Sequence, residues 1–207
     1  MIENITGRLI PSLLLFVCLI NYSCKPEYVD KQELDEYIRN TSNGLSQEKN
    51  AGNLGIKVTY KPTDLLIAQH LGDNVEESEI ERLRMHYGQY VYFMLDIENN
   101  GQDVLYTPTT GGLGFSDKLQ TFAFRMNDYV NMTTSASDTI PVADYAYNRT
   151  FGMSKNTSMM FVFNKEQIEN KEWISFNLNE SGIGSGDQRF RFKTSNINNV
   201  PKLKFFN

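Results

Sequence analysis

The chain holds two histidines, His70 and His86, and they offer little chemistry. No His-X-X-X-His or His-Glu pair accompanies them, so a zinc site would need carboxylates from elsewhere. Both read as surface or half-buried packing residues. No Gly-X-Ser-X-Gly elbow presents a serine nucleophile. Glu76, Glu77, Glu79 and Glu81 suit a solvated helix start, while Asp117, Asp128, Asp138, Asp144 and Asp187 are scattered. Calcium needs oxygens converging from a short Asp-X-Asp-X-Asp loop, which is lacking. No two acids stand out as the pair that cleaves a glycoside. The runs Gly111-Gly112-Leu113-Gly114 and Gly182-Ile183-Gly184-Ser185-Gly186 lack the lysine and spacing of a phosphate loop. Neither is followed by a helix pattern, and both read as flexible turns using positive φ. The expectation is no catalytic residue, no metal and no cofactor.

Two other groups suit contact rather than catalysis. Tyr145 and Tyr147 alternate with polar residues and lead into Arg149 and Phe151. Such rings stack on sugar faces, anchor protein interfaces, or simply pack on a sandwich. Arg189, Arg191 and Lys193 alternate with Phe190 and Phe192, so the three cations project from one side. They read as a solvated strand edge that discourages aggregation, or as a docking face for an acidic partner.

The elements that position these groups are mostly strands. Ile56–Tyr60 alternates and stops before Pro62. Two helices follow over about 63–87: Thr63 or Asp64 caps Leu65–Leu71 with Gly72 as stop, and Asp73 caps a second that ends at Gly88. In the second, Ile80, Leu83 and Tyr87 share a face. Tyr90–Ile97 is apolar on both faces and reads as the longest, central strand. Later runs alternate: Phe122, Phe124, Met126; then Met159, Phe161, Phe163; then Ile174, Phe176, Leu178 inward with Ser175 and Asn177 outward; then Phe190 and Phe192. A short strand at Leu203–Phe206 closes the sheet after Pro201. The turn spacing predicts a mainly β fold, an immunoglobulin-like antiparallel β-sandwich over 54–207 with a short helical insertion.

Residues 24–53 read as a flexible tether. Asp30–Arg39 forms at most a short helix with Leu34, Tyr37 and Ile38 on one side, and the rest is polar and rich in Asn and Gly. A flexible segment of about 30 residues spans about 30 Å on average and about 100 Å at most.

The first 24 residues carry the address. After a short polar start with Arg8 comes the apolar run Leu13–Ile20, then Asn21, Tyr22, Ser23 and Cys24. The run is shorter than the roughly 20 apolar residues of a membrane span and fits a secretory signal peptide over 1–23. Ser23 and Cys24 resemble the end of the lipobox of bacterial lipoproteins, in which a small residue precedes an acylated cysteine; Asn21 departs from the usual apolar residue. The resemblance implies lipid attachment at Cys24 and anchoring in a bacterial envelope, at the outer membrane. The cysteines agree: Cys18 leaves with the leader and Cys24 is acylated, so the mature domain has no thiol. Two or more acyl chains hold a protein stably where one does not.

Composition narrows the partners. The net charge is −5, and the lost segment removes one acid and one base, so no basic field invites nucleic acid. The 21 asparagines and 24 Phe plus Tyr (13 and 11) resemble exported proteins of AT-rich bacteria such as the Bacteroidota. Asp138-Thr139-Ile140 resembles the O-glycosylation triplet of that group. The expected function is a membrane-tethered, non-catalytic interaction or accessory module of a surface or secretion assembly, with an envelope protein as partner. The alternatives are a glycan-binding lipoprotein and an all-β hydrolase.

Overall fold

A computed structural model describes residues 28–71, 76–110 and 112–206. In chain order the elements are β1 (Tyr28–Val29), α1 (Lys31–Arg39), β2 (Ser46–Ala51), β3 (Leu54–Lys61), α2 (Thr63–His70), α3 (Glu77–Tyr87), β4 (Tyr90–Asn99) and β5 (Gln102–Asp103). Then follow α4 (Phe115–Phe124), β6 (Val130–Thr134), β7 (Thr139–Pro141), β8 (Asp144–Tyr147), β9 (Thr157–Asn164), β10 (Trp173–Leu178), β11 (Gln188–Lys193), α5 (Thr194–Asn198) and β12 (Lys202–Leu203). The leader, Cys24, Gly72 and Asp73 lie outside the described residues.

The fold is mainly β and is not a closed barrel. One antiparallel sheet has the order β2-β3-β4-β9-β8, with β5 paired to β4; a second has the order β11-β10-β6-β7. Their apolar faces meet. Phe93 of β4, across from Phe161 in register, has its ring centroid 5.9 Å from Phe176 and 5.1 Å from Phe192 on the other sheet. Phe161 and Phe163 meet Phe176 edge-on at 5.5 and 6.1 Å. These rings are fully buried, and tilted or edge-on pairs contribute about 0.5–1.5 kcal/mol each beyond burial alone. The pleat explains the layout, since residues two apart in a strand share a face. β4 is the longest strand, as expected for a run apolar on both sides.

Several expectations need correction. Residues 28–53 are not a tether. Asp30 caps α1 in a capping box with Glu33, Leu34 and Ile38 are buried, β2 pairs with β3 along its length, and β1 pairs in parallel with β12. Leu34 and Ile38, one buried residue per turn of α1, together with the strand pairing outweigh the polar majority that suggested disorder. Phe122, Phe124 and Met126 are not a strand. Phe115, Lys118, Leu119 and Phe122 follow helical spacing in α4, and a chance alternation at its end hid it; Phe124 is 76% exposed. Gly114 therefore does precede a helix, as its N-cap.

Ser175 and Asn177 are buried although they face outward. β10 is an inner strand, and its neighbours' long side chains cover it: Arg191 and Arg189 stand opposite the two residues in register. Asn177 donates to Asn131 Oδ1 at 2.9 Å and Thr133 Oγ1 at 3.2 Å, which satisfies the buried amide. The final strand, Lys202–Leu203, joins β1 rather than closing a large sheet. Finally, Pro62 rather than Thr63 or Asp64 stands at the N-cap of α2.

The two ends of the paired sheets differ. At one end lie α2 and α3, the start of β4 and the turn after β9, tied by the Lys165 N–H donating to the Gln89 carbonyl at 3.0 Å. At the other lie the segments after β4, β8 and β10. Ten residues of β4 separate the ends by about 33 Å.

Candidate functional site

The segments after β4 and β8 meet around Arg149. Tyr106 and Phe115 come from the first and contact each other at 5.5 Å. Arg149, Phe151 and Met153 come from the second. The Arg149 guanidinium lies 4.5 Å from the Phe151 ring centroid and 5.4 Å from that of Phe115, a cation held between aromatic faces. Its Nη2 donates to the Tyr106 hydroxyl at 3.5 Å, while Nε and the Thr150 hydroxyl are buried without a hydrogen-bond partner among the described residues. Buried polar atoms are normally paired, so these two depart from the rule.

The cluster is unusually bare. Tyr106 is 44%, Phe115 42%, Phe151 69% and Met153 86% exposed. Phe151 also has φ 53°, a left-handed conformation that is an outlier for a bulky side chain and costs about 1 kcal/mol or more. Gly152, φ 80°, follows it and runs beside the Tyr106 ring, where a β-carbon would stand 3.8 Å from Cε2. A shallow cleft of about 310 Å³ opens here, with Tyr106, Thr107, Gly152, Met153 and Lys155 among its walls.

The support beneath is firm. Asp103 accepts hydrogen bonds from the Leu105 amide at 2.9 Å and from the Thr157 hydroxyl, which fixes the turn that carries Tyr106. Lys118 of α4 is buried and donates to the Val104 carbonyl at 2.7 Å and to the Thr107 carbonyl. Burial pushes the Lys118 pKa down, and the Asp103 charge opposes this in part. Nearby, the Glu180 carboxylate organises the turn between β10 and β11. It accepts from the amides of Gly182 at 2.6 Å, Gly184 at 2.9 Å and Gly186 at 2.5 Å. All three glycines have positive φ, as expected, but the turn is wrapped around a carboxylate rather than free.

The residues anticipated as contacts are dispersed. Tyr145 stacks on Phe161 at 5.6 Å and its hydroxyl accepts from the Met126 amide at 3.3 Å. Tyr147 packs edge-on against Phe122 at 6.1 Å, and burial pushes its phenol up to about 12. Both are half-buried props of β8, so only Arg149 of that trio lies in the cluster. Arg189, Arg191 and Lys193 are exposed on β11, an edge strand, as the alternation predicts. Arg191 lies 4.1 Å over the Trp173 ring, on a face separate from Arg149. Tyr106, Phe115 and Met153 escaped the sequence reading; Phe115 was legible as the first member of the helical spacing 115, 119, 122.

A larger cleft of about 430 Å³ lies at the opposite end, walled by Tyr60, Tyr90, Lys165, Glu169, Thr194 and Asn198 among others. Glu169 is its single carboxylate. Burial, with the Asp64 charge, pushes the Tyr60 phenol up to about 12, so it stays protonated at neutral pH. His70 and His86 are exposed and flank Tyr87 at 6.4 and 5.3 Å. Among the described residues no group of three or more His, Cys, Asp or Glu converges to hold a metal ion, and no helix is long and apolar enough to cross a membrane.

No protein-family model matches the chain, and no curated protein matches it. One solved structure does: a novel protein of unknown function from Burkholderia pseudomallei K96243, 9% identical, covering 82% of this chain and 88% of that one with a TM-score of 0.37. It is too distant to inform fold or function.

Proposed function

We propose that the protein is a lipid-anchored, non-catalytic binding module of a bacterial envelope, with the Arg149 cluster as its recognition surface. The leader over 1–23 is removed, Cys24 is acylated at the outer membrane, and the folded domain presents its aromatic end to an envelope protein. The observation that carries the binding role is Arg149 held between two exposed rings, with Nε unpaired and Phe151 in a strained backbone. Aromatic residues and arginine dominate the energetics of interfaces, and strain of this kind collects at functional positions.

The domain is best read as immunoglobulin-like. In support, β3-β4-β9-β8 follows the A-B-E-D order and β11-β10-β6-β7 follows G-F-C-C′, all antiparallel. In that reading α2 and α3 are inserted between A and B, β2 is an added edge, and the Arg149 cluster sits on the B–C and D–E connections.

A photo-crosslinking residue at position 106 or 153 in the native host should trap a discrete protein partner, with none trapped from position 85 at the other end. Equal labelling from all three positions would sink the assignment. A second reading, glycan binding, is favoured by the paired Tyr106 and Phe115 rings beside the cleft, since sugars stack on such faces. A glycan array probed with wild type and Arg149→Ala separates the two.

A further inference from the structure

We propose that the face formed by β1, β12 and the outer side of α3 lies directly on the bilayer headgroups, so that the Arg149 cluster points away from the membrane. This rests on acylation of Cys24. Only Lys25, Pro26 and Glu27 separate that cysteine from β1. Four residue steps reach about 14 Å when fully extended, less than half the roughly 33 Å length of β4. The lipid leash is therefore too short to let the domain stand off or turn over. β1 is pinned in turn, because it pairs in parallel with β12 in the register Tyr28 to Lys202.

The surface at that point suits a headgroup layer. Tyr28 is 50% and Phe206 48% exposed, and between them runs a shallow groove of about 170 Å³. Met85, 70% exposed, continues the same stripe of α3 one turn beyond Glu81. Lys202 and Lys204 are exposed on β12 and just after it, with the Lys202 ammonium 6.0 Å over the Tyr28 ring. Rings with a polar edge sit at membrane interfaces, and lysines extend their stems over apolar surface to reach phosphate. Glu77 and Glu81 stand on the far rim of the groove. The contact is therefore led by rings rather than by net charge, and salt should weaken it little.

The test uses the lipidated full chain from its native host in vesicles of phosphatidylethanolamine and phosphatidylglycerol. Spin labels are placed on Lys202→Cys, Lys204→Cys or Met153→Cys, and intact mass is taken on the same samples. With acyl chains present, labels at 202 and 204 should show several-fold greater protection from a water-soluble nickel chelate than the label at 153. Acyl chains present with equal protection at all three positions would overturn the docking and leave the anchor standing. A bare or unprocessed Cys24 would overturn both.

Discussion

The Asp64 carboxylate clamps the Arg84 guanidinium by two parallel hydrogen bonds, Nε to Oδ1 at 2.8 Å and Nη2 to Oδ2 at 2.9 Å. The same Oδ2 accepts from the Leu203 amide at 2.9 Å, and Arg84 lies 5.3 Å over the Phe205 ring. One side chain thus fastens α2, α3 and β12, three elements distant in sequence. Bidentate, charge-assisted pairs of this geometry are the strong ones.

Asp64→Ala should therefore destabilise the fold by about 1–3 kcal/mol, because it leaves a guanidinium and an amide without their acceptor. Asp64→Asn should cost less, since it keeps the shape and one acceptor oxygen. Urea denaturation ranks the two, and limited proteolysis should cut the alanine variant first near residues 200–206. Equal stability of Asp64→Ala and wild type would deny the clamp.

The Glu180 turn should loosen in acid. Burial raises the carboxyl pKa, but the amides of Gly184, Gly186, Gly182 and Ile183 outweigh it and hold the group below its ordinary 4.5. A depressed carboxyl stabilises the folded state above its unfolded pKa, and that contribution is lost as pH falls through the folded value. Amide resonances of Gly182, Gly184 and Gly186 should titrate together with a midpoint below 4.5. Glu180→Gln should abolish the titration, and a midpoint above 4.5 would count against the account.

Lys118 behaves in the opposite sense to a surface lysine. Its folded pKa lies below the ordinary 10.5, so the unfolded chain binds more protons and stability rises as pH climbs between the two values. Lys118→Met removes the donor that serves Val104 and Thr107 and should cost about 1–3 kcal/mol at neutral pH. A variant as stable as wild type by urea titration would show that those carbonyls find other partners.

Phe93 and Phe151 should respond oppositely. Phe93→Ala opens a cavity among Phe163, Phe176 and Phe192 and should cost about 3–5 kcal/mol. Phe151→Gly relieves a left-handed backbone and should raise stability by up to about 1 kcal/mol while weakening partner binding. Thermal melts alongside a binding assay read both; a Phe151→Gly protein that binds normally would remove this ring from the surface.

Much of the fold was legible because burial on one face leaves a period of two. Met159, Phe161 and Phe163 announced β9, and Phe190 with Phe192 announced β11. Ile80, Leu83 and Tyr87 announced α3 through steps of three and four. The misreadings have two causes: a short strand takes its identity from its partner, and a buried polar residue can mask a helical stripe. Tyr28–Val29 has no pattern of its own, and only Lys202–Leu203 makes it a strand. The end of α4 alternates by accident, and the buried Lys118 broke the apolar stripe that would have revealed it. The Arg149 cluster was half visible. Arg149 stood out among aromatic residues, but its neighbours Tyr106 and Phe115 arrive through tertiary packing that local sequence does not encode.

The parallel pairing of Tyr28 with Lys202 also sets an order of events during synthesis. Among the described residues the first strand is completed by the last, so it waits for nearly the whole chain before it has its partner. Such long-range closure is slow, so the β1–β12 ribbon forms late.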